Sequence, residues 1–156
     1  KYFGIHRCRL LEFLCTLVST NEMTSVVFNA NSLTSLWTIL KRFSSNNIVQ
    51  NVIVDIISWM ANSSAENMNL LLTANIPQDV GKEILLSAEN SCYTGQLYSI
   101  ALCFADSPGV QYIAKAYPDW SKVVPELKKY KTQTLPDTVK RRNRNFVTDR
   151  YEDRIQ

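Results

Sequence analysis

His6 is the only histidine in this chain of 156 residues, so any cysteine–histidine nucleophile would have to use it. Its nearest cysteine is Cys8, and residues two apart point to different sides of a helix. A nucleophile and its base need mutual reach, so His6 reads as a polar residue at a helix start. The 4 glycines are scattered, which leaves no phosphate-cradling loop, and no C-x-x-C or H-x-x-x-H spacing points to zinc. No catalytic residue, cofactor or metal is therefore expected. The carboxylates are more informative. Glu12, Asp55 and Ser99 hold corresponding positions in three near-repeats, and around Asp55 the residues Asn51, Asp55, Ser58 and Asn62 share one stripe at 4-3-4 spacing. The first repeat adds Arg9, Thr16 and Ser19, and the third adds Asp106. Equivalent positions of stacked repeats line up in a row, which predicts an exposed, weakly acidic ridge on the innermost helices. Its partner-binding candidates are Glu12, Asn51, Asp55, Ser58, Asn62 and Ser99. The plainer alternative is the polar stripe that any surface helix carries.

The elements that must position this ridge recur along the chain. Leu10-Leu11-Glu12-Phe13-Leu14 lines up with Ile53-Val54-Asp55-Ile56-Ile57 at an offset of 43 residues, and Leu17 and Val18 with Met60 and Ala61. At an offset of 44, Ile53, Ile56, Met60, Ala61 and Ser63 fall on Leu97, Ile100, Phe104, Ala105 and Ser107. Such a period marks armadillo and HEAT repeats, in which each unit of two or three helices buries its apolar face only against the next unit. The expectation is an all-α, armadillo/HEAT-like right-handed helical solenoid. About three units occupy residues 1–130, and a basic C-terminal helix and tail occupies 131–156. There is no initiator Met, and Lys1-Tyr2-Phe3 leads almost at once into a helix pattern, so further repeats are expected on the N-terminal side. A solenoid cut there exposes an apolar end unless something caps it.

Apolar spacing and turn residues predict helices over 5–19, 22–29, 33–43 (capped by Ser32), 48–61, 77–87, 95–106 and 109–117. A further stripe of Trp120, Val123, Leu127 and Tyr130 needs a kink or restart at Pro125. Ile56 and Met60 should be buried between repeats, with Phe13, Leu17, Ile100 and Phe104 in contact or one layer away.

No secretory leader opens the chain, and its longest apolar stretch, Val49 to Ala61, is too short and polar to span a bilayer. The 4 cysteines form no disulfide framework, which suits a reducing compartment: the cytoplasm, with the nucleus as a second location. Residues 1–127 carry 8 Lys/Arg against 10 Asp/Glu, whereas residues 128–156 carry 9 against 4. Lys140-Arg141-Arg142-Asn143-Arg144 is the strongest cluster, yet Asp137, Asp149, Glu152 and Asp153 surround it and no aromatic residues interleave it for base stacking. A solvated helix, or a strap onto acidic ridges, is expected ahead of a nucleic-acid site.

Three stretches carry a resemblance. Gly4-Ile5-His6-Arg7-Cys8-Arg9-Leu10 with Leu14-Cys15-Thr16-Leu17-Val18-Ser19-Thr20-Asn21 resembles the G-x-x-R…L…LL-x-T-N helix of the SAPS-domain family. Asn46-Asn47-Ile48-Val49-Gln50-Asn51-Val52 is similar to that family's WNN-x-x-H-x-x-V segment, with Ser45 in place of Trp. Tyr93-Thr94-Gly95-Gln96-Leu97-Tyr98-Ser99-Ile100-Ala101 is similar to its Y/M-G-H-L-x-x-I-A signature, with Gln96 in place of His. Trp120 with Asn143 and Asn145 sits near the family's closing W…N-R-R-N. The resemblance spans residues 4–146 and implies the C-terminal part of a regulatory subunit of phosphatase 6, a type 2A-like serine/threonine phosphatase. It implies no chemistry of the chain's own, a phosphatase catalytic subunit as partner, and a further scaffold protein as a second one. The competing reading is a basic-tailed armadillo adaptor that binds nucleic acid or transport cargo.

A His6→Ala protein is expected to keep every function of the wild type, since nothing pairs with His6. Loss of an activity with the helical circular dichroism intact would contradict the non-catalytic reading.

Overall fold

The computed structural model describes residues 3–20, 28–87 and 92–134, and every regular element among them is an α-helix. In chain order these are α1 (Ile5–Ser19), α2 (Ala30–Arg42), α3 (Asn47–Ser63), α4 (Ala65–Thr73), α5 (Ile76–Ser87), α6 (Thr94–Asp106), α7 (Val110–Ala116) and α8 (Trp120–Thr134). The expected helix 22–29 falls outside the described residues except for Phe28 and Asn29, which precede α2.

Short polar residues set the boundaries. Asn29 accepts the Ser32 amide at 2.9 Å while the Ser32 hydroxyl accepts the Asn29 amide at 2.9 Å. This reciprocal capping starts α2 ahead of the expected residue 33, and Ser32 is the partner inside the first turn, with Asn29 as the cap. Asn46 accepts the Val49 amide at 3.2 Å to open α3. Ser64, extended at φ −151, both ends α3 and caps α4 by accepting the Asn67 amide at 3.2 Å, so two helices meet at a one-residue corner. Asn75 takes a left-handed φ of 58 between α4 and α5, a conformation that asparagine tolerates. Pro77 lies in the first turn of α5, where a helix amide has no partner to lose.

α8 departs from expectation at two points. It runs through Pro125 without a break, and it continues across the expected domain boundary at 130/131 as far as Thr134. Proline there removes the amide that would bond the Ser121 carbonyl, and Ser121 is exposed, so water can take that carbonyl instead. The rest of the basic segment, residues 135–156, lies outside the described residues.

The helices pack in two sets. α3 packs against both α1 and α6, while α5 packs against α6 and α8 and, less extensively, against α2. The short α4 bears on α3, α5 and α2, and α7 on α6 and α8. The core runs through the contacts of both sets: Ile53, Ile56 and Met60 of α3, Ile100 and Phe104 of α6, and Val123 of α8 are all 0 % exposed. Phe104 meets Trp120 edge to face at 6.2 Å, and Tyr98 stacks on Tyr130 at 4.0 Å, which fixes α8 against α6. Gly81 of α5 lies so close to Tyr117 that a Cβ there would stand 2.6 Å from its ring. Glu83 of α5 accepts from Lys41 of α2 at 3.4 Å and from Tyr93, just ahead of α6, at 3.2 Å. Leu17, the repeat mate of Met60, is half-buried, but Phe13, the repeat mate of Ile56, is 58 % exposed. Phe13 lies on the side of α1 that no described helix covers, whereas its counterparts Ile56 and Ile100 are sealed by the next helix.

Ile56→Ala is expected to cost about 2–5 kcal/mol, the range for truncating a fully buried large aliphatic side chain. Urea unfolding followed by circular dichroism measures it; an unchanged midpoint would remove Ile56 from the core.

Candidate functional site

α1, α3 and α6 present the predicted ridge. On α3, Asn51, Asp55 and Asn62 are exposed and Ser58 is half-buried. They escape the core because the complementary positions Ile53, Ile56, Ile57 and Met60 of the same helix face its neighbours. Ser99 is exposed on α6, and Glu12 is half-buried on α1 in a 2.8 Å ion pair with Arg9.

Hydrogen bonds stitch α6 to α3 along this stripe. Gln96 Nε2 donates to Asn51 Oδ1 at 3.5 Å, and Asn62 Nδ2 reaches Cys103 Sγ at 3.1 Å. The Cys103 thiol donates to the Ser58 carbonyl at 3.6 Å. The structure therefore ties Asn51, Ser58 and Asn62 to residues that the sequence reading did not place on the ridge, Gln96 and Cys103. Their separations of 45, 41 and 45 residues straddle the repeat offset, which is the signal that could have found them. Glu12 and Ser99 stay on their own helices: Thr16 donates to the Glu12 carbonyl at 3.0 Å, and Ser99 to the Gly95 carbonyl at 2.8 Å. Asp106, at the end of α6, pairs with Lys131 of α8 at 3.6 Å.

The thiols along the seams are quiet. Burial first, and the Asp55 carboxylate second, push the Cys15 thiol up from its ordinary 9.0 to about 11. This places Asp55 near the α1 side of the ridge as well. Burial pushes Cys103 up too, against side-chain hydrogen bonds from Ser58 and Asn62 that favour its thiolate. Both stay protonated at neutral pH and are poor nucleophiles. His6 is exposed, and no group of three His, Cys, Asp or Glu residues among the described ones could hold a metal. No helix among the described residues is long and apolar enough to cross a membrane. What the ridge offers is a row of amides, hydroxyls and carboxylates carried on three packed helices.

No protein-family model matches this chain, and neither does any curated protein or solved structure.

At pH 8 a maleimide or iodoacetamide reagent should modify exposed Cys92 well before Cys15, whose thiolate is depleted roughly a hundredfold by its raised pKa. Asp55→Asn removes the charge that opposes the Cys15 thiolate, so labelling of Cys15 should speed up a few-fold. Mass-spectrometric time courses read both effects, and a slower Cys15 in the Asn variant would show that Asp55 does not act on it.

Proposed function

We propose that this chain is a section of a right-handed armadillo/HEAT-type solenoid. Its role is that of a non-catalytic scaffold that holds a serine/threonine phosphatase catalytic subunit close to chosen substrates. The observation that carries the scaffold reading is the ridge, where side chains of α3 and α6 bond across the seam at separations near the repeat length. The packing of α3 between α1 and α6 supports the repeat reading. The phosphatase class of the partner rests on the resemblance of residues 4–146 to the SAPS-domain family. A scaffold of this kind needs no reacting group; it raises the rate by raising the local concentration of substrate. The cytoplasm is its expected place, with the nucleus as a second, and a further scaffold protein is its expected second partner.

The basic balance of residues 128–156, 9 Lys/Arg against 4 Asp/Glu, favours a second reading in which the chain binds nucleic acid through Arg141 and Arg142.

Asp55→Lys decides between them. The exposed position should keep folding within about 0.5 kcal/mol of wild type. Reversed charge on the ridge should weaken capture of the phosphatase catalytic subunit by roughly tenfold. Under the second reading, Arg141→Glu with Arg142→Glu should abolish a salt-dependent association with a random oligonucleotide, and Asp55→Lys should leave it intact. Surface plasmon resonance against both partners at two salt concentrations separates them. Oligonucleotide binding without phosphatase capture would overturn the scaffold reading.

A further inference from the structure

α3 turns into α4 at Ser64 and α6 turns into α7 around Pro108, and because α6 packs on α3 the two corners stand side by side. A pocket of about 290 Å³ lies between them. Met68, Pro108 and Tyr112 give it apolar walls, and Asn62 and Gln111 bring amides to it. Met68 is 2 % exposed and Tyr112 is 47 % exposed, so the pocket deepens from the ring towards the thioether. Gly109 lies so close to Met68 that a Cβ there would stand 2.9 Å from its Cε. The two stretches that line the pocket, 61–68 and 108–112, are described throughout.

The pocket has its shape before anything enters. Ser64 accepts the Asn67 amide at 3.2 Å, and Asn67 Nδ2 donates to the Ser63 hydroxyl at 2.7 Å, which pins the first corner. The Tyr112 amide donates to the Gly109 carbonyl at 2.9 Å, and the Ser107 hydroxyl to the Phe104 carbonyl at 2.8 Å, which pins the second. A site held in this way asks little ordering of its own side when a ligand arrives.

The lining selects the ligand. None of the described residues that line the pocket is charged, so a carboxylate or an ammonium would shed its water there without gaining a counter-charge. The Met68 sulfur and the Tyr112 ring favour an aromatic group. Asn62 donates through Nδ2 to the Ser58 carbonyl at 2.9 Å and to Cys103 Sγ at 3.1 Å, which leaves its Oδ1 to accept. An aromatic ring with a donor at its tip answers all three features. The volume lies just under the range of small-molecule sites, about 300–1,000 Å³, and suits one large side chain. Asn62 is also a ridge residue, so an occupant of the pocket is at once in contact with the ridge.

We infer that this pocket takes the phenol ring of one Tyr from the protein that lies along the ridge, with the phenol hydroxyl donating to Asn62 Oδ1. The naming of that protein as a phosphatase catalytic subunit rests on the scaffold reading above. Aromatic side chains seated in closed pockets carry most of the energy of many interfaces, and this one would anchor a partner to a ridge whose own polar groups are largely bonded within the chain.

Proton–nitrogen correlation NMR of the full chain, titrated with p-cresol, reads the pocket with no partner present. The Asn62 and Gln111 side-chain amide signals and the Tyr112 backbone signal should shift. Toluene, which lacks the hydroxyl, should bind about fivefold more weakly. The p-toluate anion should bind at least about tenfold more weakly. Ala65→Trp, at an exposed position in the first turn of α4, should fill the pocket, and Tyr112→Ala should remove a wall. Each should weaken p-cresol while the helical circular dichroism stays unchanged, and Asp55→Lys should leave p-cresol binding as it is. The same two pocket variants should weaken capture of the phosphatase catalytic subunit by roughly tenfold. Absence of any shift with p-cresol would overturn the inference whatever the phosphatase does. So would capture that Asp55→Lys weakens and both pocket variants leave intact. A wild-type chain that binds p-cresol and captures no phosphatase would overturn the phosphatase reading, and the anchor's named partner with it. Binding of p-cresol only after Tyr151→Ala would assign the pocket to the chain's own tail and would likewise overturn the inference.

Discussion

The packing of α3 against a helix on each side is the constraint on which the other contacts depend. Its sequence is rich in β-branched residues, with Ile48, Val49, Val52, Ile53, Val54, Ile56 and Ile57 in about three turns. Each of these costs a few tenths of a kcal/mol in a helix relative to alanine, so an isolated α3 would be a poor helix. Burial reverses the balance. Val49, Ile53, Ile56, Ile57 and Met60 are each no more than 1 % exposed, and fully burying a side chain of that size is worth about 1.5–3 kcal/mol. The gain exceeds the propensity loss several-fold, but only when the helices packed on α3 are in place. The polar stripe survives because the helices around α3, namely α1, α6, α4 and α2, do not cover its whole circumference. The candidate ridge is thus what remains of α3 once its packing is satisfied.

How much of this could be read from the chain follows the same physics. The helix ends over α3, α5, α6 and α7 fall within two residues of the expectation, because Asn46 and Ser64 mark them with capping side chains and Pro77 and Pro108 with a fixed φ and no amide to donate. Ser32 misleads because serine serves equally as a cap and as the third residue of a capping box, and only the geometry of Asn29 separates the two. Pro125 misleads because its cost depends on whether the carbonyl one turn earlier is wet, which is a property of packing. Phe13 has the right period for the core and is nevertheless exposed, since periodicity says which side of a helix is apolar and not whether anything lies against it. On the ridge, the stripe of Asn51, Asp55, Ser58 and Asn62 was legible from one helix alone. The bonds to Gln96 and Cys103 were not, because their register depends on how far α6 slides along α3.

The ridge and the pocket at its end ask for different things from whatever meets them. Along the ridge many polar groups already have partners: Thr16 and Ser99 donate to carbonyls one turn back, and Asn62 divides its amide between Ser58 and Cys103. A partner there gains little new hydrogen bonding per contact, so recognition falls to charge and to shape along a rigid row, which governs association rate and choice of partner more than affinity. The pocket between the two corners has the opposite character. Its walls of Met68, Pro108 and Tyr112 are apolar, and covering them releases free energy in proportion to area.

The two seams of α3 serve the ridge and the pocket differently. Arg9, Glu12 and Cys15 lie on the ridge side of α1, whose principal contact within the chain is with α3. α1 carries one end of the ridge, so that end is held in register chiefly through the α1–α3 contact. The pocket belongs to the other seam, with one wall on the α3–α4 corner and one on the α6–α7 corner. A ring seated there would touch both corners together. Anything that binds the folded chain and not the unfolded one stabilises it by mass action, about 2.7 kcal/mol at a hundred times the dissociation constant. The stripes on α3 and α6 would then keep their register without any new contact of their own, because the occupant bridges the two helices that carry them.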